Sequence, residues 1–316
     1  MALQLELDAG VPAERRGPAR ESLEAMGYLS AAEPCRVEVL AGGGSNMNLL
    51  LEQGGERYVL RLAEPDVERF SIDRKVGIDA HLRLAETGVA PELCAWLENG
   101  DCLTRFVEGP IVTAESVRDP GMLERVADVL AGVHGSGSID GVYSVFEQQR
   151  LWAGTARCEQ LALPEDFSHL SEKCDAAEAV FARLDLPAKL CHNDVQLQNF
   201  IIGSDRVWLL DFEYAGMGNP YFDLAMVAVN AELGPGEEDR LLGRYFGEVC
   251  ESDRARVRLL GFMSAMRDAT WAVMAKVVQK VDFDYDAWSA EYFGRARRFA
   301  DSKDFDACLR AAADGA

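Results

Sequence analysis

Leu190-Cys191-His192-Asn193-Asp194-Val195-Gln196-Leu197-Gln198-Asn199-Phe200-Ile201-Ile202, followed by Val207-Trp208-Leu209-Leu210-Asp211-Phe212-Glu213, is the stretch on which the reading of this chain turns. It spells H-x-D-x-x-x-x-N, an apolar strand, a turn at Gly203-Ser204-Asp205, a second apolar strand and then D-F. One carboxylate, Asp194, leaves a strand end into a loop. An amide, Asn199, follows five residues on, and a second carboxylate, Asp211, ends the next strand. A hard dication such as Mg²⁺ takes one or two such oxygens and completes its octahedron with phosphates and water. Asp194 can then orient a hydroxyl and accept its proton while the metal neutralises charge on a transferred phosphoryl group. Short Asp/Asn loops are common, so the octapeptide pattern alone is weak. The hairpin between its two halves and the D-F at the right distance make it specific.

On the N-terminal side the chain reads as a small sheet. Cys35–Leu40 alternates like a strand, and Gly42-Gly43-Gly44-Ser45-Asn46 is a flexible turn. Asn48–Glu52 and Arg57–Leu62 form a hairpin about Gly54-Gly55. A helix is predicted from about Asp73 to Thr87, ending at Gly88. Leu93–Leu97 and Cys102–Phe106 are strands joined by Glu98-Asn99-Gly100-Asp101. The first twenty residues are polar and are expected to fray, with a short helix over Pro18–Gly27. Beyond Gly109-Pro110 the pattern turns helical. Pro120–His134 has the helical period Met122, Val126, Val129, Leu130, Val133, and Ser171–Leu184 follows. Further helices are expected near Asp223–Leu233, Glu237–Cys250, Ser252–Val281 and Tyr285–Ala300. The expected class is α+β with two lobes. Residues 1–109 form a small antiparallel sheet carrying one helix, and residues 110–316 form a larger, mainly helical lobe.

The run 191–225 resembles the choline/ethanolamine kinase branch of the aminoglycoside phosphotransferase family, within the protein-kinase-like superfamily, including bacterial LicA-type enzymes. Other matching pieces are Gly43-Gly44-Ser45-Asn46-Met47-Asn48, Tyr58-Val59-Leu60-Arg61, Ile72-Asp73-Arg74, Gly88-Val89-Ala90-Pro91-Glu92-Leu93, Thr104–Gly109 and Trp271 through Tyr285. The resemblance covers most of the chain, from about Val39 to Phe299. It implies the bilobal kinase fold with ATP in the cleft, dependence on Mg²⁺, and phosphorylation of the hydroxyl of a small cationic amino alcohol.

On that resemblance Asp194 is the catalytic base, with His192 orienting its loop, and Asn199 and Asp211 hold Mg²⁺. Residues 104–108, among them Arg105, Phe106 and Val107, form the adenine hinge. Gly43, Gly44, Ser45 and Asn46 cover the phosphates, and Arg61 stands where many kinases carry the phosphate-binding lysine. Trp271, Trp288 and Tyr214 fall at the family's aromatic cage for a cation, with Met274 where another aromatic is common. Asn230 lies near a place that is acidic in some members, and Asp268 and Glu213 are available counter-charges. Asp223 is expected to cap a helix or to brace the catalytic loop.

Departures from the pattern carry information. Asn193, not arginine, precedes Asp194, and Asp211-Phe212-Glu213-Tyr214 leads directly to Asp223. That leaves no room for a peptide-binding activation segment and points to a small-molecule acceptor. Gly77 stands where the family usually has a glutamate paired with the strand cation. Asp79, two residues on, faces about 200° away round a helix.

Lys and Arg number 32 against 53 Asp and Glu, a net charge of −21. Such a surface repels phosphate backbones, so no nucleic-acid partner is expected. The eight cysteines have no CxxC spacing, and no targeting pattern or bilayer-length apolar run is evident. The expectation is a cytoplasmic protein with reduced thiols. His81, His134 and His169 lack metal-ligand spacing. Two other readings stay open. One is the same chemistry on an aminoglycoside, thiamine or another amine-bearing metabolite; the other is a non-catalytic nucleotide-binding regulator.

Overall fold

The computed structural model describes residues 3–40, 47–64, 67–278 and 283–314. The glycine turn with Gly43, Gly44, Ser45 and Asn46 lies outside them. The N-terminal sheet has the order β1-β2-β3-β4-β6-β5. Its strands are β1 (Leu5–Leu7), β2 (Cys35–Val39), β3 (Met47–Gln53), β4 (Glu56–Leu62), β5 (Leu93–Trp96) and β6 (Cys102–Arg105). The β3–β4 hairpin closes on Gly54 and Gly55, both at positive φ (62° and 82°), the turn whose twist matches the strands. Alternation sends Val37, Leu49, Leu51, Leu60 and Leu62 to one buried face. Helix α1 (Ala13–Met26) contributes Ala19 and Leu23 to that core.

Two expectations about this sheet fail. From residue 3 onward the expected fraying is not seen, because Leu3 and Val11 are buried and β1 pairs with β2. That pairing is parallel, so the sheet is mixed at this edge. Helix α1 also begins a full turn before Pro18, giving this half a second helix besides α2 (Arg74–Glu86). A three-residue strand is too short to show its period, and Pro18 sits inside the helix rather than at its start.

The Asp73 carboxylate accepts from the Lys75 and Val76 amides and so starts α2, as the sequence suggests. Past β6 the chain crosses at Gly109 (φ 154°), where an added Cβ would stand 2.1 Å from the Ile202 carbonyl. Only a glycine lets the connection lie that close, and Ile202 N donates to Pro110 O at 2.8 Å.

The rest is helical: α3 (Pro120–Gly135), α4 (Val145–Cys158), α5 (Phe167–Phe181), α6 (Pro220–Asn230), α7 (Pro235–Phe246), α8 (Glu251–Val278), α9 (Tyr285–Ala300) and α10 (Lys303–Ala313). Between α5 and α6 lie β7 (Lys189–Cys191), β8 (Phe200–Ile202), β9 (Val207–Leu209) and β10 (Gly216–Gly218). β8 pairs with β9 as the quoted stretch requires, and β10 pairs with β7. Helix α4 escaped the sequence reading because its inner face mixes Gln148 and Gln149 with Trp152, Ala153 and Ala156. Helix α8 runs for 28 residues and is buried on most sides, with α6, α4, α9 and α10 packed on it. Among the described residues, no helix is long and apolar enough to cross a membrane.

Candidate active site

The loop that carries Asp194 is held from below by one carboxylate. Asp223, in the first turn of α6 and fully buried, accepts the His192 amide at Oδ2 and the Asn193 amide at Oδ1, both at 2.8 Å. His134 Nε2 lies 2.9 Å from the same Oδ2, and its Nδ1 is 2.7 Å from the Tyr245 hydroxyl. The chain can then turn sharply at Asn193, whose φ of 61° an asparagine tolerates better than most residues. The Asn193 side chain is also buried, and its amide donates to the Tyr214 carbonyl at 3.0 Å. This residue ties the loop to the segment after Asp211.

His192 accepts the Asp194 amide at Nδ1 (3.2 Å), so its proton sits on Nε2 and is donated to the Leu210 carbonyl at 2.8 Å. Both nitrogens are engaged by backbone, so His192 positions the loop. Its ring lies 5.1 Å from that of Phe212, and His81 from α2 stands 5.2 Å away from the same ring. The Phe of D-F is thereby fixed between the two halves.

Asn199 donates from Nδ2 to the Asp194 carbonyl at 3.2 Å, and its own carbonyl accepts the Leu210 amide. A carbonyl partner must face the amide NH₂, so the side-chain oxygen is left as a free acceptor. Asp211 projects from a left-handed residue (φ 65°), with Oδ1 on Arg61 at 2.7 Å. Burial raises its carboxyl above the usual range and the Asp194 charge adds to this, while Arg61 pulls the other way. A neutral amide oxygen beside a carboxylate that is uncomfortable as an anion is a donor set that suits a hard dication.

Arg61, on β4, has a second partner, the Glu213 carboxylate at 3.2 Å. Burial alone would lower its pKa, but Cys102, Glu213 and Asp211 together raise it, so the guanidinium stays charged. Asp79 is committed elsewhere, to Lys75 at 2.8 Å. The sequence places no glutamate at position 77, and the structure supplies a physical reason. A Cβ at Gly77 would meet the Phe212 carbonyl at 3.0 Å and Glu213 Cα at 3.6 Å. Helix α2 therefore lies directly on the backbone that delivers Glu213, and the carboxylate comes from that segment instead of from the helix.

At the crossing between the halves, Phe106 N donates to Arg57 O at 3.0 Å, and the Arg57 guanidinium lies 4.5 Å from the Phe106 ring centroid. Arg105 lies over the Tyr58 ring and is paired with Glu56 and Glu92. Val107 is half-buried next to them.

On the other side of Asp194, Tyr214, Met274, Trp271 and Trp288 do come together, in a cluster that also holds Phe70, Trp152, Tyr143 and Tyr285. Met274 is buried, Trp271 packs against Tyr285, and Trp288 stacks on Tyr292 at 4.7 Å. Asn230 braces the loop, donating to the Val195 carbonyl at 2.9 Å. Against Tyr214 and Trp152 of this cluster lies a residue that the sequence reading passed over, Arg267. Its Nη1 donates to Asp194 Oδ1 and to Asp268 Oδ1, each at 2.8 Å. Its guanidinium carbon lies 4.6 Å from the Tyr214 ring centroid and 5.6 Å from that of Trp152. Burial pushes the Asp268 carboxyl up to about 6, with the Asp194 charge adding to it, against the pull of Arg267 and the Gln196 side chain.

The family model for the phosphotransferase enzyme family matches residues 36–260, which span both the sheet and the loop that carries Asp194. The chain belongs to the phosphotransferase enzyme family. Protein LicA of Haemophilus influenzae is 28% identical over 215 residues, 65% of this chain and 61% of the relative. The match thus spans less than two thirds of that relative's own length. A crystal structure of a choline/ethanolamine kinase family protein from Mesorhizobium loti superposes with a TM-score of 0.79 at 23% identity, covering 96% of this chain and 99% of the other. A structure of LicA in complex with AMP gives 0.77 at 20% identity, covering 91% and 98%. The fold of this chain is accordingly the protein-kinase-like one that the resemblance implied.

The sequence carried one signal for Arg267 that could have been read. Arg267-Asp268 is a charge doublet after Leu259-Leu260-Gly261-Phe262-Met263-Ser264-Ala265-Met266, and charges in so apolar a run must find partners. Nothing local indicated that the partner would be Asp194, 73 residues away.

Proposed function

We propose that this protein is a small-molecule kinase that transfers the γ-phosphoryl group of ATP to the hydroxyl of a small cationic amino alcohol, of the choline or ethanolamine kind. The observation that carries the reading is one loop presenting Asp194 beside the free oxygen of Asn199, with Asp211 and Arg61 facing it. Among the described residues only Arg267 hydrogen-bonds the Asp194 carboxylate, at Oδ1, which leaves Oδ2 for a substrate hydroxyl. As the hydroxyl oxygen bonds to the γ-phosphorus, its proton passes to Asp194 Oδ2, the bond from phosphorus to the β-γ bridging oxygen breaks and ADP leaves. Asn199 and Asp211 would hold Mg²⁺, which when bound neutralises charge on the triphosphate. Arg61 would contact the phosphates, and Phe106 and Val107 would border the base.

The similarity to choline/ethanolamine kinase family proteins and the acidic and aromatic residues around Asp194 favour an amino alcohol over a large polycationic acceptor. Glu213 on Arg61 removes the main sequence argument for an inactive regulator, namely the missing carboxylate at position 77. The test is phosphoryl transfer from Mg²⁺-ATP to a panel of amino alcohols, with Asp194→Ala as the control. Wild type should turn over at least one of them and Asp194→Ala none. Turnover that survives Asp194→Ala would falsify the assignment of the base.

A further inference from the structure

The aromatic faces beside Asp194 already hold a cation, and it belongs to the protein. Arg267 is 3% exposed, lies over Tyr214 and Trp152, and bridges two carboxylates with one nitrogen. Burial acts to lower its pKa, but Tyr143, Asp194 and Asp268 together hold it well above the usual value, so it remains charged. An aromatic ring offers its quadrupole to a cation, and a guanidinium stacked on it takes the place of another. What stays unsatisfied here is of a different kind. Among the described residues, Asp268 Oδ2 is a buried carboxylate oxygen with no partner at hydrogen-bond distance, although the Gln196 side chain lies near that carboxylate, and Arg267 Nε, Tyr143 Oη and Trp288 Nε1 are likewise buried and unpartnered. A buried anionic oxygen can be satisfied only by a hydrogen-bond donor.

We propose that Arg267 is a specificity-determining and positioning residue: it occupies the cation seat over Tyr214 and Trp152, fixes Asp194 through Oδ1, and leaves Asp268 Oδ2 to accept from the substrate. The substrate alcohol then carries an ammonium with at least one N–H, and a quaternary ammonium is rejected. A quaternary group has no proton to offer Asp268 Oδ2 and finds the Tyr214 and Trp152 faces taken. This rests on the amino-alcohol reading above and narrows it. The geometry is compatible with so small a molecule, because both carboxylates lie 2.8 Å from one Arg267 nitrogen, which brings the hydroxyl and ammonium sites to adjacent positions.

The experiment uses the full chain with Mg²⁺-ATP and a graded series of acceptors: ethanolamine, N-methylethanolamine, N,N-dimethylethanolamine and choline. In wild type, kcat/KM should change modestly over the first three and fall by about 100-fold or more at choline, where the last N–H is lost. Arg267→Met should lower kcat with every acceptor, because Asp194 loses its anchor. It should also raise the choline to dimethylethanolamine ratio by about tenfold, because the aromatic seat is vacated. Arg267→Lys keeps a cation there, so it should retain the wild-type ratio and recover part of kcat. A purely structural role would lower all rates without moving the ratio. Should Arg267→Met fail to show a cooperative thermal transition, the wild-type series and Arg267→Lys decide the matter. Equal use of choline and dimethylethanolamine by wild type overturns the inference alone, as does an unchanged ratio in a folded Arg267→Met. Turnover of none of the four overturns the amino-alcohol reading and the inference with it.

Discussion

Replacing Glu213 with glutamine should weaken the site through Arg61. The carboxylate lies 3.2 Å from Arg61 Nη1, and the two side chains are 11% and 21% exposed. At an effective dielectric constant of 20, unit charges at that separation attract by about 5 kcal/mol before desolvation is counted. Much of this is offset by taking both groups out of water, and Asp211 at 2.7 Å remains as a partner for Arg61. The expected net loss is about 2 kcal/mol, a factor of about 30 in an equilibrium constant. The assay is a double-mutant cycle with Arg61→Met, read both as urea unfolding free energy and as KM for the nucleotide. Glu213→Gln should cost about 2 kcal/mol alone and little once Arg61 is gone. A cost that is the same in both backgrounds would show that the two residues act independently, and the substitution of Glu213 for a helix carboxylate would be wrong.

Three further outcomes follow from the same geometry. Gly77→Ala gains about 1 kcal/mol of helix propensity but puts a Cβ 3.0 Å from a backbone oxygen. With overpacking costing about 1–3 kcal/mol, the variant should be less stable than wild type in thermal unfolding, and a more stable one would refute the close packing. Asp268 ionises at about 6, above the ordinary carboxylate value, because it is buried. As a carboxyl with a raised folded pKa it favours the fold when protonated, so its contribution is lost as pH rises from about 4 through 6. For activity the anion is the useful form, so kcat/KM with an amine acceptor should fall below pH 6. Asp268→Asn should remove that acid limb, and an identical profile in the variant would exclude Asp268 as its source. Asp223→Asn presents an NH₂ to one of two backbone amides that now each meet an oxygen. Urea unfolding should show a loss of about 2–4 kcal/mol, with activity falling in parallel, and a loss under 0.5 kcal/mol would argue against Asp223 as the brace of the loop.

The sequence by itself determined the local parts of this molecule. The strand patterns of β3 and β4, the apolar runs of β8 and β9, the glycines of the hairpin, the start of α2 at Asp73 and the spacing from Asp194 to Asn199 to Asp211 all act over a few residues. They were legible because strand period, turn conformation and capping depend on neighbours in the chain. The edges were not, since β1 has three residues and acquires its pairing only from β2, and α4 hides its inner face behind glutamines. Only the tertiary structure decided which charges meet. Arg61 finds Asp211, 150 residues on, and Arg267 reaches back 73 residues to Asp194. Ion pairing between distant residues leaves no period in a sequence, because it depends on distance and burial in three dimensions. Of the residues that read as a cage awaiting a cation, Tyr214 lies, in the folded chain, under an arginine of the protein's own.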